Sequence, residues 1–222
     1  MEELLQTMSL EEKVGQLFFA RCPEENGAED AAQYHLGGYI LFGRDFADKT
    51  ADDIKEAIRT YQNHSRIPLL IGVDEEGGIV VRVSANENLR SSPFQSLQEL
   101  YGQGGMARIL EDTKEKDALL VSLGINVNFA PVVDVSPNPE DYMYDRALGQ
   151  DAAATADFAA QVIGQMSADN MGSVLKHFPG YGNNIDTHTG IATDGRPLAE
   201  LEQNDLLPFR AGIEAGCGAV LM

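Results

Sequence analysis

The sequence predicts an α/β protein, a (β/α)8 barrel of the TIM type of which this chain supplies about six βα units. Three observations predict it. Short aliphatic or β-branched runs recur along the chain, longer amphipathic stretches separate them, and caps or glycines mark many of the boundaries. The runs are residues 17–20, 38–42, 69–73, 125–129, 173–177 and 219–222. A chain that alternates short strands with helices in this way builds a parallel sheet, each helix carrying the chain back for the next strand.

The helices are justified in order. Ser9 with Glu12 three positions later is a capping-box signature ahead of the first run. Thr50, followed by Asp52 and Asp53, suits a capped and dipole-matched helix start running to about residue 63. Residues 106–123, 152–169 and 198–215 supply further helices, and Pro208 should start a new segment or kink the last of them. No low-complexity tract, charge block or linker interrupts the pattern, so residues 1–222 are expected to form one domain.

The chemistry concentrates after the fifth run. Gly172-Ser173-Val174-Leu175 reads as a buried strand, which puts Lys176 and His177 at its C-terminal end, where barrel enzymes place their active sites. Pro179, Gly180 and Gly182 then break regular structure, and Asp186 and His188 follow on a loop. Residues two apart in an extended backbone project to the same side, so the Asp186 carboxylate can reach the His188 imidazole from local geometry alone. Such a carboxylate orients the ring and stabilises its protonated form, which suits a group that gives and takes a proton. A lone Asp-x-His is more often a solvated loop; the strand-end Lys-His pair and the glycines favour a site here.

Lys176-His177-Phe178-Pro179-Gly180-Tyr181-Gly182 followed by Asp186-Thr187-His188 resembles the K-H-F-P-G-H-G…D-S-H signature of glycoside hydrolase family 3, in its β-N-acetylglucosaminidase branch. The likeness extends along essentially the whole chain. Residues 9–17 resemble the family's opening helix, residues 37–42 its second strand, residues 70–78 (Leu-Ile-Gly-Val-Asp-Glu-Glu-Gly-Gly) its third, and residues 145–149 its D-R-x-x-G element. The resemblance implies a retaining hydrolase for terminal β-linked N-acetylglucosamine, as in peptidoglycan or chitin fragments, with no cofactor and no metal. It implies that His188 is the acid/base and Asp186 its support. Asp74 would accept hydrogen bonds from sugar hydroxyls, and Arg82, Arg146, Lys176 and His177 would complete the sugar-binding floor. Asp134, at the end of another strand, would organise that floor through hydrogen bonds, and Gly77-Gly78 would let the backbone turn tightly near the ligand. Two departures stand out: Ile79 replaces the arginine of the commoner E-G-G-R, and Tyr181 replaces the second histidine.

Composition excludes several partners. A formal charge of −19 and a pI near 4.4 repel phosphate backbones and anionic membrane surfaces, so neither nucleic acid nor membrane is expected, whereas a neutral sugar is indifferent to that charge. Cys22 and Cys217 are too few and too isolated for a disulfide framework or zinc site and fit free thiols in the cytoplasm. Oligomeric state is not legible. A closed barrel needs eight strands and typically about 250 residues, so this 222-residue chain is expected to be a fragment of a longer enzyme. The resemblance places the nucleophilic Asp downstream, which makes an inactive or merely sugar-binding fragment the main alternative. A metal-dependent hydrolase built on His177 and His188 is less favoured because H-x-H and H-E-x-x-H spacings are absent.

Overall fold

In the computed structural model, which describes residues 2–222, six parallel strands form one curled sheet in the order β1-β2-β3-β4-β5-β6. Chain order and spatial order coincide, so each helix carries the chain to the next stave, as in an arc of a barrel. The strands are β1 (Phe19–Arg21), β2 (Gly38–Leu41), β3 (Leu70–Val73), β4 (Val127–Asn128), β5 (Gly172–Lys176) and β6 (Ala219–Leu221). Each lies within or overlaps one of the six expected runs. The helices are α1 (Glu2–Thr7), α2 (Leu10–Gly15), α3 (Gly27–Gln33), α4 (Gly43–Phe46), α5 (Ala51–His64), α6 (Leu97–Leu123), α7 (Ala152–Ala168), α8 (Leu198–Gln203) and α9 (Leu206–Glu214). None of the described helices is long and apolar enough to cross a membrane.

Several boundaries differ from expectation for local reasons. β1 starts later because Leu17 and Phe18 bond back to Val14 and Gly15 and finish the turn of α2. β4 is only two residues long because side chains take over its ladder. Asn126 Oδ1 accepts from Ile71 N at 2.8 Å, and the Asn128 amide bonds both the N–H and the C=O of Glu75 at 3.0 Å. α6 begins nine residues earlier than expected, on a capping box formed by Ser96 and Glu99, and bends at Gly104-Gly105, where Gly105 takes φ +62°. The 198–215 stretch divides at Asn204-Asp205, and Pro208 sits in the first turn of α9, where its missing N–H costs nothing.

The core lies between the sheet and the helices, with Ile71, Val73, Leu120, Phe158, Ile163 and Leu175 fully buried. Inside the curl, Phe19 and Phe129 meet edge to face at 5.1 Å. Gly72 makes this possible, since a Cβ there would stand 2.5 Å from the Phe129 ring. Among the described residues β1 and β6 each pair with one strand, and all three residues of β6 are exposed.

One buried group is uncompensated. Asp117 on α6 is 1% exposed, and neither carboxylate oxygen has a hydrogen-bond partner among the described residues. Burial, helped by the nearby Asp169 and opposed by Lys116, pushes its carboxyl from 3.8 up to about 7. The unfolded chain therefore loses this proton before the folded one does. The contribution to stability is full below about pH 3.8, declines as pH rises towards 7, and stays low above it. Asp117→Asn should raise stability at pH 8 by on the order of 2 kcal/mol, with the gain shrinking towards pH 4; urea unfolding at both pH values checks this.

Candidate active site

At the C-terminal end of the sheet a lysine is buried among acids. Lys176, the last residue of β5, is 1% exposed. Its Nζ stands 2.6 Å from Asp74 Oδ1, just beyond β3, and 2.6 Å from Glu76 Oε1. Removing an ammonium from water costs several kcal/mol, and two carboxylates at contact distance offset that cost. Glu76 is in turn gripped by Arg146, whose Nε and Nη2 donate to its two oxygens at 2.9 and 2.7 Å. Burial pushes the Glu76 carboxyl up, but Lys176 and Arg146 outweigh it and hold the group below the ordinary glutamate value.

His177 extends the network. Its Nδ1 lies 2.8 Å from Asp134 Oδ2, and its Nε2 lies 3.2 Å from Arg146 Nη2. Arginine has no acceptor, so Nε2 must accept; the ring is then neutral, with its single N–H on Nδ1 and donated to Asp134. Asp134 is completely buried as a side chain and also accepts from the backbone N–H groups of His177 and Tyr181 at 3.2 and 2.9 Å. The Lys176–His177 peptide, which joins the two side chains, is cis.

Arg82 faces the same space with no carboxylate within ion-pair distance among the described residues; its guanidinium donates only to Val81 O, at 3.2 Å. The loop that presents it is organised by Glu75, fully buried, which accepts from the N–H groups of Arg82, Val83 and Ser84 and from the Ser84 hydroxyl. Gly77 and Gly78 do turn at positive φ, +106° and +60°. Their close approach is to residues 95 and 96, where a Cβ on Gly77 would stand 2.2 Å from Gln95 O, so the tightness serves the loop's packing and not the cavity wall.

Above this floor stands the loop that carries Asp186 and His188. Asp186 Oδ1 accepts from both His188 Nδ1, at 2.7 Å, and His188 N, at 2.9 Å. Those two bonds, chiefly, hold the Asp186 carboxyl below its ordinary value. With Nδ1 occupied, Nε2 is the nitrogen left to exchange a proton, and the His188 side chain is 81% exposed. The Tyr181 hydroxyl lies 2.7 Å from Thr187 Oγ1, between the two.

A cavity of about 570 Å³ is bounded by Asp74, Arg82, Arg146, Lys176, His177 and His188, which are six of the seven residues expected from the sequence. Asp186, the seventh, stands behind His188. Such a volume suits one or two sugar rings. Among the described residues no group of three or more His, Cys, Asp or Glu side chains is set to hold a metal ion, and each histidine of the site has its own separate carboxylate.

Residues 9–222 match the Glycosyl hydrolase family 3 N terminal domain. The chain belongs to this family. A beta-hexosaminidase of Xanthomonas campestris pv. campestris is 37% identical over 192 residues, covering 84% of this chain and 56% of that protein. Solved structures of family 3 members match the fold as well. The glycoside hydrolase family 3 beta-N-acetylglucosaminidase of Paenibacillus sp. str. FPU-7 superposes with a TM-score of 0.85 at 29% identity, covering 96% of this chain and 41% of that one. NagZ from Neisseria gonorrhoeae, solved with N-trifluoroacetyl-D-glucosamine, gives 0.79 at 26% identity, covering 91% and 60%. This family 3 chain thus spans just over half the length of the curated relatives it matches.

Glu76 is the site residue that sequence reasoning leaves without a role. The available signal is the third acid of Asp74-Glu75-Glu76 opposite a strand-end lysine, since a buried cation near an arginine calls for more than one carboxylate. Glu76→Gln should cost roughly 3–5 kcal/mol at pH 7, because Lys176 and Arg146 lose a shared buried partner. The wild-type contribution is present above pH 4.5, the ordinary glutamate value, and is lost as pH falls through the lower folded one. The stability gap between the two proteins, measured by urea titration, should therefore narrow in acid.

Proposed function

We propose that this chain forms the sugar-binding floor and the acid/base of a retaining β-N-acetylhexosaminidase that removes terminal β-linked N-acetylglucosamine. The observation that carries the reading is the single cavity with a cationic, ion-paired floor on one side and an outward-facing, carboxylate-backed imidazole on the other. The family resemblance and the names of the relatives supply the sugar.

Roles follow from what each group has free. Asp74 is a partly exposed carboxylate whose second oxygen accepts from sugar hydroxyls. Lys176 spends its contacts on two acids and keeps a third N–H; Arg146 keeps Nη1, which meets only the weak acceptor Met143 Sδ at 3.8 Å. Arg82 brings a guanidinium with no ion partner among the described residues. His177 holds Arg146 in place. His188 then protonates the leaving oxygen through Nε2 and later takes a proton from water, while Asp186 stabilises the imidazolium.

Glycoside hydrolysis with retention also needs a carboxylate that attacks the anomeric carbon. The cavity's own acids are all engaged: Asp74 and Glu76 by Lys176, and Asp194 by Arg196. In this reading the attacking Asp lies outside residues 1–222, as the family resemblance implies. The same observation favours a second reading, a segment that binds sugar without turning it over. A cytoplasmic setting and peptidoglycan or chitin fragments as substrates belong to the same proposal, the setting supported by the two free thiols.

Turnover separates the readings. The 222-residue chain alone should bind N-acetylglucosamine but show little hydrolysis of an aryl β-N-acetylglucosaminide; robust activity would refute an external nucleophile. The longer protein should give the β-anomer as first product by NMR, and an α-anomer would sink the mechanism. In that protein His188→Ala should lower kcat by about 100-fold or more for an alkyl glycoside and far less for an activated phenol, which needs little protonation. A near-wild-type rate on a disaccharide would remove His188 from the reaction.

A further inference from the structure

The loop that carries His188 is mostly solvated, so something other than burial must decide where it stands. Residues 182–196 contribute no buried side chain, and the dyad's own bonds are local. The fixed point is Arg196. Its side chain is only 16% exposed, and its guanidinium is fully subscribed. Nη1 donates to both oxygens of Asp205 at 2.8 Å, Nε and Nη2 donate to Asp194 at 2.7 to 3.1 Å, and Nη2 donates to Gly180 O at 3.0 Å. One planar group thus joins the residue that opens the loop, a residue near its end, and Asp205, a 3% exposed residue just before α9.

The glycines of the motif fit around this group. A Cβ on Gly180, at φ +110°, would stand 2.7 Å from Asp205 Oδ1; one on Gly182, at φ +52°, would stand 2.4 Å from Arg196 Nη1. Between them, Tyr181 N donates to Asp134, the acid that also holds His177. The neck of the loop is therefore registered to the sugar-binding floor. Arg196 hydrogen bonds, first among the causes, draw Asp194 down to about 2, in keeping with a strong ion pair despite partial exposure.

We propose that Arg196 is a positioning residue for the acid/base loop: by closing its neck against Asp194, Asp205 and Gly180 O, it sets where His188 stands over the cavity. The catalytic half of this statement rests on the assignment of His188 above; the neck itself does not.

The test has two arms. In the 222-residue chain, Arg196→Ala should raise native-state cleavage within residues 182–195 by a nonspecific protease by about tenfold, and added guanidinium ion should reverse it. Because the substitution also strands the buried Asp205 carboxylate, its urea midpoint should fall, and cleavage is compared in the absence of urea. Arg196→Lys should fall between. Unchanged cleavage, or cleavage that guanidinium does not reverse, overturns the proposal whatever the enzyme does. Asp194→Asn spares the buried pair with Asp205, so it should raise the same cleavage at an unchanged urea midpoint, with no rescue by guanidinium because Arg196 is still in place. Unchanged cleavage in that variant overturns the proposal even if Arg196→Ala does not fold. In the longer protein, Arg196→Ala should lower kcat for an alkyl glycoside about tenfold more than for an activated aryl glycoside, with KM little changed, and guanidinium should restore it. A loosened loop with no such leaving-group dependence makes the neck structural only and also overturns the proposal. Failure of the hydrolase reading itself would show separately, as a His188→Ala protein with near-wild-type turnover.

Discussion

The structure at the top of the sheet depends on one constraint: a lysine ammonium is buried there and must be neutralised where it stands. Lys176 is the terminal residue of β5, its backbone in register with Leu221 of β6 and its side chain buried, so the charge is met in place. Asp74 and Glu76 answer it from the end of β3. Two acids on one cation leave excess negative charge, and Arg146 balances it from the turn after β4. Arg146 in turn sets the protonation form of His177, and His177 aligns on Asp134. Segments far apart in sequence, already joined below by the apolar packing of Val73, Val133, Leu148 and Leu175, are thereby locked at this end by charge. Removing any partner would leave an unpaired charge in a poorly hydrated place, which is why such a floor is stiff.

What is legible in the sequence follows from how local each feature is. The strands and capped helices can be read because alternation and capping boxes act within a few residues, as at Ser9 and Thr50; at Ser96 the glycines that follow mask the same signal. Asp186 and His188 can be paired because two residues of loop suffice to bring them together. Arg82, Arg146, Lys176 and His177 are placed through a family resemblance, since no periodicity tells which cations meet across a sheet. Glu76 escapes because its role is defined only by partners 70 and 100 residues away along the chain. β1 begins two residues inside its apolar run because Leu17 and Phe18 look like strand by composition, yet their backbone completes a helix turn. Short apolar runs do not distinguish these outcomes.

The site combines two mechanical regimes. The floor is tied together by charge-assisted hydrogen bonds around the buried Lys176 and Glu76, with a few donors and acceptors left facing the cavity, while the loop above it is solvated and contributes chiefly the Nε2 of one imidazole. Under the hydrolase reading proposed above, this division suits a reaction in which the sugar must be held to within tenths of an ångström but the leaving group varies in size. A proton donor on a solvated loop can meet aglycones of different shape. It can do so only if the ends of the loop do not wander, because a donor displaced by about 1 Å forfeits much of its effect. The tie between the two regimes runs through residue 181, whose backbone bonds to Asp134 in the floor and whose hydroxyl meets Thr187 between the two members of the dyad. A tyrosine here supplies a single hydroxyl at fixed reach, where the family's commoner histidine would bring a shorter ring with titratable nitrogens. That substitution therefore changes how floor and loop are coupled while leaving the ion-paired floor and the Asp186–His188 pair as they are.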